Sequence, residues 1–588
     1  MKILLWVFKI FVIFTFFVQL SSSICAEWDK ITLLQFKGSI VKDTTNQLAT
    51  WTNSTDCCGG GWDGIQCNET SGRVTGLSLQ NSEGALYMKG TLSPKLGQLQ
   101  FLETLIITGM HRIEGEVPWA IFPNLTHLQQ LVLDDNALQG TIPTDLGHLP
   151  ALQVLSLKGN RLSGQVPPAL GKLRTLQVLI LASNSLSGPI PIALQNFTSL
   201  QFIDLSHNQF SGPIPDFLGQ LRNLTSIDLS NNRLSGQLPV SLKNLKNVTF
   251  LSFEHNRITG GIPPEIGNMT SLATLSLGSN GLTGRIPDSI ASLPGLWNLS
   301  VPKNNLSNPL PVSFSKALLS IDLSYNNFTL GRSVPEWVTS RGLYSVSLAG
   351  CKLEGTLPKF TNPGFLTSID LSDNALTGEG LSSFFANMST LQKAKISSNR
   401  LREDISKIKI PETLSFLDLH ANDLQGTMSG LLNNQTSTFL EAVDLSTNRI
   451  SGRIPEFVFT PGLRGLKVLN AANNNITGSI PDTISNLEGL VRLDLRRNGV
   501  SGAIPEGLGK LGRLEWLDLS INGLTGRIPE SLLGIKRLSH ANFRANRLCG
   551  QIPQGKPFNI FPPAAYAHNM GLCGKPLPPC KNNKTTCQ

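Results

Sequence analysis

The sequence predicts an elongated α/β solenoid, in which short coils of chain stack on one another instead of forming separate globules. Three observations predict it: a repeat near 24 residues, a Leu-x-Leu segment in each repeat, and a Gly-x-Ile-Pro turn after most of them. The chain has 588 residues with 54 Gly and 35 Pro, and its apolar fraction of 40% is too high for a disordered chain. Gly and Pro therefore mark regular turns rather than a flexible linker.

The repeat runs from residue 74 to residue 553 and has one marker position, usually asparagine. With two irregular units around Leu79 and Ile107, the pattern predicts about 20 repeats of the leucine-rich-repeat period, each too small to bury its apolar face alone. The marker positions have a spacing of 24 at 136, 160, 184, 208, 232, 256, 280 and 304, loosen through 326, 351, 374, 399, 422, 448 and 474, and return to 24 at 498, 522 and 546.

Each position of the repeat has a physical role. The leucines of a short strand point into the coil and the alternate residues point outward, so stacked coils form a parallel sheet. The marker asparagine turns inward, where its amide both donates and accepts hydrogen bonds to buried backbone groups. The glycine of Gly-x-Ile-Pro permits the following turn. Cys351 occupies a marker position, which predicts a buried structural thiol, with a reactive or intermolecular thiol as the alternative.

The N-terminus has the pattern of a secretory signal. A basic start precedes only nine uninterrupted apolar residues, 10–18, and small residues at 21–23, whereas a membrane anchor needs about 20 apolar residues. We predict cleavage after Ser23 and no later transmembrane segment or lipid-anchor tail. Export is consistent with fourteen glycosylation sequons, at Asn53, Asn68, Asn124, Asn196, Asn223, Asn247, Asn268, Asn298, Asn305, Asn327, Asn387, Asn434, Asn475 and Asn583. The net charge of +9 falls to about +7 without Lys2 and Lys9, and favours acidic partners; export argues against nucleic acid.

The repeat form and both ends of the chain resemble the plant extracellular leucine-rich-repeat proteins. Asp56-Cys57-Cys58, then Trp62-Asp63-Gly64-Ile65-Gln66-Cys67, is similar to their N-terminal cap, and residues 572–580 are similar to their C-terminal cap. The closest architectures are the polygalacturonase-inhibiting proteins and the ectodomains of leucine-rich-repeat receptor-like proteins and kinases. The resemblance implies an α/β leucine-rich-repeat solenoid, a curved right-handed superhelix of about 20 plant-type repeats with a parallel concave β-sheet and disulfide-bonded caps.

The resemblance also implies the cap disulfides and the domain boundaries. Cys25 would pair with Cys57, Cys58 with Cys67, and Cys573 with Cys580, whereas Gly571 occupies the position of the usual partner of Cys549. Cys587 is the remaining candidate partner for Cys549. The expected domains are a signal peptide at 1–23, an N-terminal cap at 24–72, repeats at 73–553 and a C-terminal cap at 554–588.

The outward strand positions supply the candidate ligand-binding residues. In the C-terminal half, Arg492, Trp516 and His540 share one column on successive coils, and an arginine fork beside an aromatic ring suits a carboxylate, a sulfate or an acidic peptide terminus. The alternative is a solvated basic rim, and the same alternative applies to Lys393 and Lys395. The flanking arginines and a second candidate patch in the N-terminal half are Arg496, Arg497 and Arg544, and Phe202, His207, Phe250, Glu254 and His255.

Aspartates recur between the two strand leucines, and neighbouring pairs about 5 Å apart raise the question of a glycosidase. The simpler interpretation is that Leu-Asp-Leu-Ser is the common sequence of this repeat whether or not a site is present, so we predict no enzyme. We also predict no cofactor and no metal site, because His207 and His255 lie two coils apart, too far for one zinc ion. The aspartates concerned are Asp204, Asp228, Asp322, Asp370, Asp418, Asp444, Asp494 and Asp518.

Three functions fit these features. The first is a secreted recognition protein of the extracellular space or cell wall that binds a protein or peptide, such as a cell-wall enzyme, in plant defence or development. The second is a receptor-like ectodomain that acts with a membrane receptor kinase. The third is a structural cell-wall glycoprotein that holds acidic pectin through its basic surface.

Overall fold

Short parallel strands follow one another at the repeat period in the computed structural model, which describes residues 24–432, 439–457, 461–580 and 587. The predicted signal peptide and the sequons at Asn434 and Asn583 lie outside the described residues. The chain divides into two compact units, Met1–Val248 and Thr249–Gln588.

In the first unit, the Leu-x-Leu segments form seven consecutive parallel strands, preceded by one antiparallel strand of the cap, Ile65–Cys67. Their outward residues form what we call the strand face. The parallel strands are Val74–Gln80, Thr104–Thr108, Gln130–Val132, Val154–Ser156, Val178–Ile180, Phe202–Asp204 and Ser226–Asp228.

The second unit continues the same pattern with thirteen strands. Together the two units hold 20 such strands among the described residues, which matches the predicted number of repeats. The strands are Phe250–Ser252, Thr274–Ser276, Asn298–Ser300, Ser320–Asp322, Ser345–Ser347, Ser368–Asp370, Lys393–Lys395, Phe416–Asp418, Ala442–Asp444, Val468–Asn470, Arg492–Asp494, Trp516–Asp518 and His540–Asn542.

Most strands of a second series begin just after the marker positions, whereas the first one lies in the N-terminal cap and pairs antiparallel with the second. In the first unit these are Ile40–Asp43, Met88–Thr91, His111–Glu116, Ala137–Thr141, Arg161–Gln165, Ser185–Gly188, Gln209–Pro213 and Arg233–Gly236. In the second unit they are Arg257–Gly261, Gly281–Gly284, Asn305–Leu306, Glu354–Gly355, Ala375–Gly378, Arg400–Leu401, Ser451–Arg453, Asn475–Gly478, Gly499–Ala503, Gly523–Gly526, Arg547–Gln551 and Gly571–Cys573.

Short 3₁₀ turns close most coils, because Pro at the end of Gly-x-Ile-Pro sets an extended entry to the turn. In the first unit they are Pro94–Gln98, Trp119–Asn124, Thr144–His148, Pro168–Lys172, Ile192–Asn196, Asp216–Gln220 and Val240–Asn244, after the α-helix Glu27–Gly38. In the second unit they are Pro264–Asn268, Ile405–Lys407, Met428–Gly430, Pro461–Gly465, Asp482–Asn486, Glu506–Lys510, Glu530–Gly534 and Pro563–Ala565, with short α-helices at Asp288–Ala291, Glu336–Thr339 and Leu381–Phe385.

The marker asparagines form the predicted internal ladder, as Asn160 illustrates. Its Nδ2 donates to the carbonyl of Leu133 in the preceding coil at 2.8 Å and to the carbonyl of Leu157 in its own coil at 3.1 Å. Its Oδ1 accepts the backbone N–H of Leu138 in the preceding coil at 3.1 Å. Each such amide satisfies buried backbone groups of two coils at once, which explains why the repeat retains asparagine here.

The residue before the marker adopts a left-handed backbone in nearly every coil, which the sequence did not reveal. The sequence marks a special backbone only at the turn glycine, and Gly164 does have a φ of 79°. The position before the marker instead holds residues as different as His207 with a φ of 52° and Arg497 with a φ of 53°. Left-handed geometry costs a non-glycine residue about 1 kcal/mol, which the surrounding ladder of hydrogen bonds offsets.

Cys351 takes the place of an asparagine in this ladder, as predicted. Its side chain is fully buried, and its Sγ lies 3.6 Å from the carbonyl oxygen of Leu323 and 3.7 Å from that of Ala349. Burial raises the pKa of the thiol to about 12, with a smaller contribution from Asp322. The thiol is therefore a buried structural group and not a reactive one.

Four disulfides lie in the caps, between Cys25 and Cys57, Cys58 and Cys67, Cys549 and Cys587, and Cys573 and Cys580. Three of these disulfides are the pairs that the resemblance implied. The other one joins Cys549 to Cys587, its candidate partner. In the N-terminal cap, Asp29 accepts bonds of 2.8 Å from both the Nε and the Nη2 of Arg73, and one of 2.9 Å from the backbone N–H of Val74. The cap helix is thereby attached to the first parallel strand.

Candidate ligand-binding surface

Three flat side chains of the second unit stack on successive strands, as the column prediction requires. The strand register places Arg492 beside Trp516 and Trp516 beside His540. The indole and imidazole rings have centroids 3.5 Å apart and planes inclined by 11°, and the Arg492 Cζ lies 4.8 Å from the indole centroid. Flat groups on strands about 4.8 Å apart stack when their side chains stand upright on the sheet. We call these three residues the stacked column.

The same strands place two carboxylates side by side near the column. Asp494 and Asp518 are in register, and their exposed fractions are 0% and 3%. Asp518 Oδ1 accepts bonds from the backbone N–H and the hydroxyl of Ser520, and its Oδ2 accepts one of 3.3 Å from Asn542 Nδ2. Asp518 is thus fully engaged within the protein.

Asp494 lies between two arginines. The Arg492 Nη2 is 3.6 Å from one carboxylate oxygen, and the Arg496 Nε is 3.8 Å from the other. Burial nevertheless raises the pKa of Asp494 and outweighs the opposite effects of a backbone hydrogen bond from Arg496 and of the two guanidinium charges. The desolvation of this carboxylate therefore exceeds the compensation that the long ion pairs provide.

Burial also shifts the pKa of His540, but downward, because the charged form of a base is the protonated one. Desolvation lowers its pKa, the charge of Arg492 adds to this effect, and the carboxylates of Asp518 and Asp494 oppose it. The imidazole is therefore mostly neutral at neutral pH, which favours its stacking against the indole.

Unpaired buried polar atoms concentrate in this region. Among the described residues, five buried side-chain nitrogen or oxygen atoms have no hydrogen-bond partner. Four of the five lie in this region: Arg492 Nε, Asp494 Oδ2, Trp516 Nε1 and His540 Nε2. The great majority of buried polar groups in folded proteins are hydrogen-bonded, so each exception calls for an explanation such as strain, a functional role or a bound water or ion. The stacked column is therefore the most incompletely satisfied part of the strand face.

Three further arginines flank the column on exposed positions. Arg496 and Arg544 stand at the same repeat position two coils apart, and Arg497 precedes a marker asparagine. Arg496 contacts Asp494, whereas no ion pair of Arg497 or Arg544 occurs among the described residues. The column and the three arginines together form what we call the basic patch.

The candidate residues of the N-terminal half are divided between the two units. Phe202 and His207 belong to the first unit, where the Asn231 Nδ2 lies 3.4 Å from the His207 Nε2. Phe250, Glu254 and His255 belong to the second unit. The phenylalanines and Glu254 are partly exposed and both histidines are exposed, and within the described residues they show no ring stacking like that of the column. Their role in binding remains a prediction.

The lysines of the middle coils are engaged by neighbours. Lys395 Nζ lies 3.6 Å from an oxygen of Asp370, and Lys393 Nζ lies 5.5 Å from the centroid of the Phe416 ring. Farther along, His420 Nδ1 contacts Asp418 Oδ1 at 2.7 Å, a pair that the sequence did not single out because the histidine follows an ordinary Leu-Asp-Leu.

Comparisons with known proteins agree on the class of the chain. Family models match as a leucine-rich repeat N-terminal domain at residues 26–68, as leucine-rich repeats at 102–162, as a leucine-rich repeat region at 168–377, and as single repeats at 465–487, 489–511 and 513–535. None of the helices in the described ranges combines the length and the apolar run that crossing a membrane requires.

Curated relatives come from plants. A DNA damage-repair/toleration protein of Arabidopsis thaliana is 35% identical over 19% of this chain and 32% of its own length, and a polygalacturonase inhibitor of Vitis vinifera is 35% identical over 18% and 30%. Receptor-like protein 7 of Arabidopsis thaliana is 33% identical over 22% and 12%. The chain therefore spans about a third or less of the length of these curated relatives.

Solved structures match over much longer stretches. A plant peptide hormone receptor in complex with its peptide has a TM-score of 0.57 and 27% identity, covering 88% of this chain and 99% of that one. The Arabidopsis receptor kinase HAESA, in complex with a peptide hormone and a co-receptor, has a TM-score of 0.56 and 29% identity, covering 94% and 99%. The family-model matches, the repeat ladder and the capped ends identify the chain as a leucine-rich-repeat protein, and its relatives and these structures make it similar to the plant extracellular members.

Proposed function

We propose that this chain is a secreted, non-enzymatic recognition protein that binds a protein or peptide ligand through the basic patch, in plant defence or developmental signalling. The stacked column with its exposed arginines carries the proposal. Arginine and tryptophan dominate the energetics of protein interfaces, and a guanidinium beside an aromatic ring complements an acidic group on a ligand.

At the basic patch, the burial of Asp494 and Asp518 supports binding over hydrolysis. A glycosidase needs two carboxyl groups that face the substrate, one to donate a proton and one to attack or to activate water. Asp494 and Asp518 have almost no exposed surface, so a sugar approaching the strand face would meet the arginines and rings instead.

The comparisons support two versions of this role. One relative is a polygalacturonase inhibitor, which suggests a cell-wall enzyme as the ligand. The HAESA structure contains a peptide hormone and a co-receptor, which suggests a receptor-like role beside a membrane kinase. Both versions place the protein outside the cell, in the extracellular space or the wall.

A pull-down from cell-wall fluid tests the proposal. The secreted wild-type protein is expected to recover a stoichiometric protein or peptide, and the triple variant Arg492→Gln, Arg496→Gln, Arg544→Gln is expected to lose it. A matched control, Arg513→Gln, Lys536→Gln, Arg537→Gln, removes three exposed charges outside the basic patch and is expected to retain it. Equal recovery by both triple variants, or no stoichiometric partner, would contradict the proposal.

The two versions are separated by an enzyme assay. If the protein is a polygalacturonase inhibitor, it is expected to lower the release of reducing sugar from polygalacturonate by a polygalacturonase, and the patch variant is expected to do so less than the control. A receptor-like protein leaves that rate unchanged and recovers a peptide or a kinase ectodomain instead.

Attachment to pectin is the structural alternative, because the same arginines suit an acidic polysaccharide. Binding to immobilised polygalacturonate that depends on charge alone is released at about 1 M salt, where the Debye length is about 3 Å. A protein complex with a desolvated aromatic centre persists there. Retention on polygalacturonate without any recovered protein would favour the alternative.

A further inference from the structure

The stacked column ends at a cleft beside the C-terminal cap. The backbone hydrogen-bond pattern between coils continues past the last repeat, since the N–H of Leu519 donates to the carbonyl of Asn542 and that of Phe543 donates to the carbonyl of Ala565. In the next coil, however, the 3₁₀ turn Pro563–Ala565 replaces a strand. No fourth flat side chain therefore follows His540 in register.

The cleft has a volume of about 280 Å³ and a mixed lining. Phe561, Pro562 and Ala564 form its apolar side, and His540, Asn542 and Arg544 form the strand side. This volume lies just below the roughly 300–1,000 Å³ of pockets that take drug-sized ligands, so it suits a single large side chain.

Of the polar groups that line the cleft, one charged side chain is available to a ligand. Asn542 is occupied, because its Nδ2 donates to Asp518 and its Oδ1 accepts the backbone N–H of Arg544. Ser539 Oγ donates to the carbonyl of Glu515. The guanidinium of Arg544 is exposed and has no side-chain partner among the described residues, and His540 Nε2 is a buried nitrogen without a hydrogen bond.

We propose that this cleft binds an aromatic side chain of a partner protein, which extends the stacked column as its fourth flat member and carries an acidic residue beside it. One face of the imidazole is covered by Trp516, and stacking continues naturally on a ring placed at the other side. Arg544 supplies the complementary charge for the acidic neighbour. The proposal names the partner chemistry of the recognition role proposed above and rests on that role.

Short peptides test the cleft without the natural partner. The probes are acetyl-Asp-Tyr-amide, acetyl-Asp-Leu-amide, which lacks the ring, and acetyl-Asn-Tyr-amide, which lacks the charge. Ligand-observed saturation-transfer NMR at millimolar concentration is expected to show the strongest transfer to the tyrosine ring of the first probe. Stacking is expected to make its binding about three- to tenfold tighter than that of the leucine probe.

Variants assign the binding to named residues. His540→Leu is expected to remove the preference for the ring, whereas His540→Phe keeps a flat ring and the preference. Arg544→Gln is expected to weaken the aspartate probe about two- to fivefold, to the level of the asparagine probe, while Arg513→Gln changes nothing. Ala564→Phe fills the cleft and is expected to abolish transfer from all three probes. Circular dichroism of each variant checks that it is folded.

Several outcomes would overturn the proposal: equal binding of the leucine probe, full binding by His540→Leu or Ala564→Phe, or no transfer from any probe. Sedimentation of the wild-type protein is expected to show a monomer. A dimer that Ala564→Phe dissolves would instead make a second copy of the chain the occupant. Success of the probes with failure of the pull-down would leave the cleft intact and reject the broader role, so the two failures are distinguishable.

Discussion

Two pairs of aspartates in this chain have the same sequence context but different environments. Asp204 and Asp228 in the first unit, and Asp494 and Asp518 in the second, all follow the leucine-rich strand pattern and are in register on neighbouring strands. The first pair is half-buried, and the second pair is almost completely buried. The difference arises two residues upstream, where Phe202 and Ser226 stand in one pair of coils and Arg492 and Trp516 in the other.

The comparison shows that this repeat pattern fixes where a carboxylate stands but not whether water reaches it. A strand position is dictated by the period of the backbone, which all coils share. Access to water differs between the two pairs, and only the second pair stands beside side chains that stack on neighbouring coils, namely Arg492, Trp516 and His540. The surface chemistry of the solenoid is thus decided by columns across coils and not by single repeats.

Removal of the central ring should have the largest effect. Trp516→Ala removes the middle ring of the stacked column and is expected to lower the free energy of unfolding by about 2 kcal/mol. This loss is smaller than for a fully buried tryptophan, because the ring is partly exposed. Ser226→Ala, at the matching position of the other pair, is expected to cost less than about 0.5 kcal/mol. Chemical denaturation followed by circular dichroism compares them, and equal losses would contradict the covering role of Trp516.

A fifth carboxylate, Asp134, tests burial without a stacked column. Burial raises its pKa to about 6, although Ser156 Oγ and the backbone N–H of Lys158 both donate to it. The folded state therefore holds a proton that the unfolded state releases, so stability is full below about pH 4 and falls as the pH rises through about 6. Asp134→Asn keeps the acceptor and is expected to gain about 2 kcal/mol at pH 7, and nothing at pH 4. Thermal unfolding at both pH values measures the gain.

Asp494→Asn sharpens the contrast between the two pairs. Its raised pKa gives the same sign, so the wild type loses stability as the pH rises above the ordinary range of a carboxyl group, and the variant does not. We expect a gain of about 1 kcal/mol at neutral pH, since the flanking arginines are partly exposed and remain hydrated without the carboxylate. Asp204→Asn serves as the matched control and is expected to show no gain; melting curves that show equal gains would refute the distinction.

The smallest effect concerns His540. Burial lowers its pKa, so protonation favours the unfolded state and the column loses stability as the pH falls below about 6.5. His540→Phe keeps the stacking and is expected to remove this loss, which should be under about 1 kcal/mol because the imidazole is partly exposed. Chemical denaturation of the wild type and the variant at about pH 5 and at about pH 7 measures the loss of unfolding free energy. An identical acid response in the variant would mean that another group titrates.

The features that depend on spacing could be predicted from the sequence. The marker ladder, the position of Cys351 and the registers of the Arg492 column follow from counting along the chain, because every coil repeats the same backbone. The left-handed residue before each marker was missed, because positions such as His207 and Arg497 show no preference for glycine; hydrogen bonds of the neighbouring coils impose that geometry.

The features that depend on side-chain packing were beyond the sequence. The candidate arginines were recognised, but the ion pairs of Arg492 and Arg496 with Asp494, and the burial of that carboxylate, require the actual stacking geometry. The cleft beside the cap depends on the replacement of a strand by the turn at Pro563–Ala565. In the sequence, the loss of the repeat pattern shows only that the repeats end there.

The asparagine ladder gives the solenoid a direction. Each marker amide serves the coil before it, and the last one, Asn569 of the cap, accepts the N–H of Leu548 and donates to the carbonyl of Phe543. A coil emerging from the ribosome therefore has backbone groups without hydrogen-bond partners until the asparagine of the next coil is synthesised. Synthesis from the N-terminus thus completes the protein one coil behind the growing end, and a chain that stops early exposes unpaired backbone at that end alone.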